Sequence, residues 1–392
     1  MGFSRMGTQL RNDNVIASNN KNAPALIQYA LRGLRSCWMP EIGRWSHIYH
    51  LDGRSNPNVS VPASDVFFSL NVLVGLARIA HYGKIHDFDL PAVFGRCATE
   101  ILKHNTRIYA YGTALWASAE LGLDLPGATS NAIVALAENK AGWSQFRAQD
   151  LGMLLAGAVK RAEREPGGGW ADVARGLFSF LVDHFSCSSG LFYDAPRGWR
   201  RNFSSFATHT YLTLASYIYG EWSGDERAIT LANHCTRKLI ELQGPQGEWP
   251  WFFHTPSGRV VDFYEVYSVH QEGMAPAFLL HADFHGVRDA RKALVRGFKW
   301  ILGQNQLDRP MLWKKEGLIC RSQVRRGELN RKYRRVGRAI LKAINGTPAK
   351  LAAPTELELR LECRSYELGW ILYSFGPRAD FLELQQHSEF AS

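Results

Sequence analysis

The chain has 392 residues, is 46% apolar and holds 12 Trp, 14 Tyr and 21 Phe, a composition that supplies a large core and excludes a disordered chain. No run of 18 uncharged apolar residues occurs, so no transmembrane helix is expected. The formal net charge of +10 has a location: residues 309–342 carry 12 Lys/Arg against Glu316 and Glu328, also a net of +10, which leaves the remainder neutral.

The first 21 residues are polar and Asn-rich, lack the apolar run of a signal peptide, and read as a disordered arm. A loosely repeated unit follows six times. In each, a half-apolar helix of period 3.6 leads through a turn into a helix that is apolar nearly all round. The half-apolar helices are expected at Ala25–Cys37, Pro91–His104, Ser130–Asn139, Trp170–Phe185, Glu226–Leu242 and Asp289–Leu302. Their partners are expected at Ser64–His81, Tyr109–Leu121, Gln149–Arg164, Ser204–Tyr219, His270–Phe284 and Ser365–Phe375. Ser64 and Ser204 are expected as N-caps, and Gly83, Gly122 and Gly220 as helix stops. Trp251–His254 and Arg259–Phe263 flank Thr255-Pro256-Ser257-Gly258, the signature of a β-hairpin.

A unit that cannot bury its own apolar face must stack on its neighbours or close into a ring. Six such pairs predict an all-α fold, an (α/α)6 double-ring toroid over residues 22–380 with a short β-hairpin at its mouth. A basic insertion is expected at 309–361 and a C-terminal tail at 381–392. Such a ring gathers the N-termini of all inner helices at one end, with their unpaired N–H groups and positive dipole ends. The long loops open at the same end, which favours an anionic or hydroxyl-rich ligand there.

The densest chemistry lies between Asp262 and Glu272. Paired carboxylates act as acid and base, or acid and nucleophile, in glycoside hydrolysis. Tyr and His act as an acid–base pair in elimination. Asp262, Tyr267, His270 and Glu272 are therefore candidate catalytic residues, with Glu265 and Gln271 as candidate substrate contacts. Asp65, Asp150 and Glu367 each fall in the first turn of an inner helix. The helix dipole alone favours a carboxylate there, so capping stands beside a functional role as a reading: catalysis for Asp65 and Asp150, substrate contact for Glu367. In a hydrolase, Asp150 serves as general acid with Asp65 or Glu272 acting on water; in a lyase, Tyr267 and His270 serve. His50, Asp52 and Arg54 on the first long loop, Arg200 on the fourth and Trp249 are further candidate sugar contacts. His47, His50 and Asp52 lack the helical spacing of a metal motif, and neither metal nor cofactor is expected.

From Arg321, apolar residues at Val324, Leu329, Tyr333, Val336, Ile340 and Ile344 alternate with Arg and Lys. This reads as a basic amphipathic helix over 321–342 with three possible partners: an anionic membrane surface, a polyanionic glycan, or solvent. Nucleic acid is disfavoured, since no recognition motif accompanies the charge. The six cysteines are scattered, which fits free thiols in a reducing compartment and a cytoplasmic location.

Gln243-x-x-x-Gly247-x-Trp249 resembles the QW repeat of squalene and other class II terpene cyclases, which implies isoprenoid chemistry. The nearest string to their Asp-x-Asp-Asp acid, Asp87-Phe88-Asp89-Leu90, lacks the last carboxylate. The whole pattern, with Gln149-Asp150-Leu151-Gly152-Met153-Leu154-Leu155, resembles the six-hairpin carbohydrate-active enzymes: unsaturated glucuronyl hydrolases, sugar epimerases and polysaccharide lyases. It is also similar to toroid proteins of bacterial exopolysaccharide clusters. That resemblance implies a hydrolase or lyase acting on an acidic oligo- or polysaccharide, with Asp150 on the catalytic helix. A non-catalytic glycan-binding assembly protein at the membrane surface is the remaining alternative.

Overall fold

The computed structural model describes residues 23–104, 107–329 and 331–391. The expected N-terminal arm lies outside them. Among the described residues, twelve helices build two rings. They are α1 (Ala25–Cys37), α2 (Pro62–Ala77), α3 (Leu90–Glu100), α4 (Ile108–Leu121), α5 (Gly127–Glu138), α6 (Ala148–Arg164), α7 (Trp170–Phe185), α8 (Phe206–Ser223), α9 (Glu226–Leu242), α10 (Ala275–Phe284), α11 (Ala290–Ile301) and α12 (Ser365–Phe375). The odd-numbered helices form the outer ring. The even-numbered ones form the inner ring, which closes because α12 packs back on α2. Inner helices approach closely where side chains vanish. A Cβ on Gly75 would lie 2.2 Å from the Gly369 carbonyl oxygen, and one on Gly157 would lie 2.5 Å from that of Gly112.

Several boundaries fall elsewhere than expected. Ser64 lies inside α2, whose N-cap is Val61. Ser205, not Ser204, caps α8 by accepting the Thr208 N–H. Gly220 lies within α8, and Gly224, at φ +73°, stops it. Uniformly apolar helices carry no phase to mark their ends, so capping chemistry decides them.

The mouth is built from three small antiparallel sheets. The expected hairpin, Phe252–His254 with Arg259–Asp262, is joined by Phe203–Ser205. Ile48–His50 lies between Asn58–Val59 and Glu362–Cys363. In the third sheet the insertion returns to the ring: Ser322–Arg325 pairs with both Val266–Tyr267 and Leu357–Arg360. Residues 322–325 are therefore strand, and the basic helix is shorter than expected, Lys332–Ile344. This cap helix seats Val336, Ile340 and Ala343 on Trp251, Phe252 and Val261 at the mouth. Tyr333 and Ile344, expected on that stripe, point outward.

Residues 381–391 pack back on the rings. Phe381, Leu384 and Phe390 are buried, and the Phe390 ring meets Tyr29 edge-on at 5.2 Å. All six cysteines are free, and only Cys187 is not fully buried. No helix among the described residues is long and apolar enough to cross a membrane.

Candidate active site at the toroid mouth

The carboxylates at the mouth fall into three groups by what they touch. The first group starts helices. Asp65 accepts the Val61 N–H at 3.1 Å and the Ser60 hydroxyl. Asp150 accepts the N–H groups of Arg147 and Tyr109, each at 3.0 Å, and so ties α6 to the start of α4. Burial pushes both carboxyls up, and these hydrogen bonds oppose it. Both are committed to backbone groups that the helix starts leave unpaired.

The second group holds the basic insertion down. Asp262 takes Arg325 bidentately at 3.0 and 2.7 Å, Arg338 at 3.3 Å and the Tyr264 N–H at 3.2 Å. Glu265 accepts from Arg335, Ser322, Arg360 at 2.7 Å and the Tyr267 hydroxyl at 3.2 Å. Burial works to raise the Glu265 carboxyl, but Arg321, Arg360 and Arg335 outweigh it and hold the group at about 2. Arg321, Arg325, Arg335 and Arg338 of the basic segment thus serve as counter-ions for the mouth.

The third group is Glu272 and Glu367. Both are fully buried, and none of their four carboxyl oxygens has a hydrogen-bond partner. Glu272 sits in a π-helical turn, His270–Met274, that opens the inner helix α10. Such turns recur at functional sites. Glu367 lies in the first turn of α12. The two elements touch: a Cβ on Gly273 would lie 2.7 Å from that of Trp370. Burial pushes Glu272 up to about 8. It pushes Glu367 well above 4.5, with Cys363 and Glu272 adding to the effect. At about 8, Glu272 is held mostly protonated at neutral pH, the state a general acid needs, and Glu367 is shifted in the same direction.

Near them lies a cluster of polar and aromatic side chains. His47 stacks on Phe68 at 4.8 Å, and Phe68 meets Tyr366 at 4.4 Å. The Arg321 guanidinium lies 5.1 Å over the Tyr267 ring, which is 5.1 Å from that of His270. His47, Phe68, Tyr267, Arg321 and Tyr366 are only half-buried, so the cluster reaches the surface of the mouth. Glu362 lies 3.3 Å from Arg321 and 2.8 Å from Arg364. One Nη of Arg321 and the Nε of Arg364 are buried without partners. Two guanidiniums against one carboxylate leave a net positive wall. Burial, with Arg364 and Arg321, lowers His47 to about 3; burial, with Arg321, does the same to His270. Both imidazoles are neutral. Below, the axis is filled: the crevice among Asn71, Val74, Trp116, Trp370 and Tyr373 is too narrow for a water molecule.

The other candidate contacts are dispersed. Asp52 and Arg54 pair with each other at 2.8 Å on the exposed first loop. His50 lies on a strand opposite Glu362. Arg200 reaches Asp194 at 3.1 Å and stacks on Trp199. Gln271 is buried and donates to the Tyr267 carbonyl at 3.1 Å. Trp249 is fully buried against Phe206. Its QW motif is a staple: Gln243 donates to the Gly247 carbonyl at 2.8 Å and, on α11, to that of Ala293 at 3.0 Å. Arg321, Phe68 and Tyr366 join the site without having been singled out for it by sequence. Arg321 arrives through strand pairing, its N–H on the Glu362 carbonyl at 2.7 Å and its carbonyl accepting from Ser268 at 2.8 Å.

No protein-family model matches the sequence, and neither does any curated protein. Solved structures do match. Cellobiose 2-epimerase from Bacillus thermoamylovorans is 10% identical, with a TM-score of 0.58 over 88% of this chain and 95% of that one. A possible member of glycoside hydrolase family 105 from Klebsiella pneumoniae is 12% identical, with a TM-score of 0.53 over 94% and 97%. Unsaturated glucuronyl hydrolase from a Bacillus species is 12% identical, with a TM-score of 0.51 over 90% and 94%. The fold is that of the α/α toroid carbohydrate-active enzymes.

Proposed function

We propose that this protein is a carbohydrate-active enzyme, a hydrolase or lyase, acting on an acidic oligo- or polysaccharide. The observation that carries the reading is the pair of buried, partnerless carboxyls, Glu272 and Glu367, both pushed up by burial, beside arginines with unpaired N–H groups. In this reading Glu367 or Glu272 delivers the proton to the leaving oxygen. Arg321 and Arg364 hold a substrate carboxylate, and Phe68, Tyr267 and Tyr366 form the aromatic platform. The toroid fold shared with a glucuronyl hydrolase and an epimerase supports the same class. An isoprenoid cyclase is less well supported, because a cationic wall disfavours a carbocation. Contact of the basic segment with an anionic membrane belongs to the same reading and is developed below.

The test is turnover of unsaturated uronyl oligosaccharides and intact acidic polysaccharides, read by released reducing ends and by absorbance of the unsaturated product. Glu272→Gln and Glu367→Gln are expected to lose ~100-fold or more in kcat, the typical contribution of a general acid. Asp150→Asn keeps one of its two acceptor oxygens, at some cost in stability, and is expected to stay within a few-fold of the parent in kcat per folded molecule. Loss confined to Asp150→Asn would return the acid role to that residue. Saccharide binding with no turnover by any form would favour a glycan-binding protein.

A further inference from the structure

The cap helix has two faces, and only one is used by the fold. Its inner face is fixed by Arg335 on Glu265, Arg338 on Asp262, and Val336, Ala339 and Ile340 on the mouth hairpin. On its outer face, Tyr333, Gly337, Leu341 and Ile344 fall at i, i+4, i+8 and i+11, one stripe along a helix. Tyr333 is 93% exposed, Leu341 61% and Ile344 72%. Arg334 beside that stripe and Arg331 at the helix N-cap are exposed too, and neither forms an ion pair among the described residues. The apolar cluster beneath the helix also takes in Phe203. The helical turn before it carries Trp199, 49% exposed, with Arg200 and Arg201.

We propose that this outer face seats the protein on an anionic lipid bilayer, with the toroid mouth turned toward the membrane surface. An exposed apolar stripe of Tyr333, Leu341 and Ile344 with arginines at its N-terminal end, lying parallel to the surface, is the arrangement of an interfacial helix. An exposed Trp beside arginines fits the headgroup zone. A polyanionic glycan would use the arginines, but would gain nothing from Leu341 and Ile344. Because the same helix bridges Glu265 and Asp262, lipid contact and the covering of the mouth reside in one element. The consequence for the enzyme is that its saccharide is met at the bilayer surface.

The experiment is flotation of the full chain with vesicles of phosphatidylglycerol and phosphatidylcholine, against vesicles of phosphatidylcholine alone. The protein is expected to float with the anionic vesicles only, and to be released by 0.5 M salt to the extent that binding is electrostatic. Each basic residue near such a surface contributes about a five-fold factor in partition, so Arg331→Ser with Arg334→Ser is expected to weaken binding about 25-fold. Leu341→Asp with Ile344→Asp is expected to abolish it. All four residues are exposed, so melting temperature and turnover of a soluble oligosaccharide stay unchanged. That separates failure here from failure of the enzyme reading. Absence of anionic-vesicle binding, or equal binding by the Asp variant, would overturn the proposal. So would retention on immobilised hyaluronan that depends on Arg331 and Arg334 but not on Leu341 and Ile344.

Discussion

Replacing Glu265 by Gln removes one charge and little volume from the joint between cap and ring. The carboxyl is 1% exposed and meets Arg335 and Arg360. Its pKa falls from 4.5 to about 2, against a burial effect that alone would raise it. That depression corresponds to about 3 kcal/mol of stability carried by the ionised form. The sign follows from proton uptake. The unfolded chain binds this proton near 4.5 and the folded one only near 2, so the contribution is complete above pH ~4.5. It disappears as pH falls toward 2. Unfolding entropy near 2.1 cal/mol/K per residue gives ~0.8 kcal/mol/K for a chain of this size, so Glu265→Gln should lower Tm by ~4 °C at pH 7. Buried Arg335, left without its anion, works in the same direction. The assay is thermal unfolding of parent and variant at pH 7, 5, 4 and 3. The gap in Tm should be widest at pH 7 and shrink toward pH 3. A variant that melts with the parent at pH 7, or a gap independent of pH, would refute the assignment of Glu265 as an ionised clamp.

Glu272→Gln should show the opposite sign. Its carboxyl is raised to about 8, so the parent loses stability as pH rises from 4.5 through 8, and the neutral amide does not. The variant should therefore melt several degrees above the parent at pH 8.5 and close to it at pH 5, while being inactive; equal pH profiles would mean that Glu272 is not protonated in the fold. Arg321→Lys keeps the charge but loses the planar fork, so KM for a uronate-bearing substrate should rise ~10–100-fold with kcat nearly constant and neutral sugars unaffected. A kcat loss without a KM change would place Arg321 elsewhere in the mechanism. Gly247→Ala forces a side chain into a backbone at φ +97° and 2.3 Å from the Arg296 carbonyl oxygen. It should cost about 2–3 kcal/mol, read by denaturant unfolding, and leave activity per folded molecule unchanged.

The outer ring was legible because its helices have a wet face. Ala25–Cys37, Trp170–Phe185 and Glu226–Leu242 begin and end where the 3.6 period and its polar flanks say they do. The inner helix α2 stops at Ala77 rather than His81, because an all-round apolar segment carries no such mark. The site was legible as a neighbourhood and not as a set of roles. Asp65, Asp150 and Glu367 share a first-turn position, but only the aspartates find donors, one of them the Tyr109 N–H on another helix. The basic insertion looked like surplus charge for a similar reason. Arg325 meets Asp262 across 63 residues, Arg335 meets Glu265 across 70, and Arg360 meets Glu265 across 95. Pairing of that range is set by the return of strand Ser322–Arg325 to Val266–Tyr267, which no local spacing announces.

Glu265 and Glu272 stand seven positions apart, both fully buried, yet one is pulled down to about 2 and the other pushed up to about 8. Desolvation acts on both in the same direction, so the difference comes from where the guanidiniums go. Arg335 and Arg360 are spent on Glu265, and Arg325 and Arg338 on Asp262. None of them donates to Glu272 or Glu367. Glu272 keeps its proton because no guanidinium donates to it, and Arg321 and Arg364 act on Glu367 without outweighing its burial. A shift of the cap that brought an arginine onto Glu272 would lower its carboxyl toward ionisation. By spending its arginines on Glu265 and Asp262, the insertion leaves burial to decide the state of Glu272, on which the proposed reaction depends.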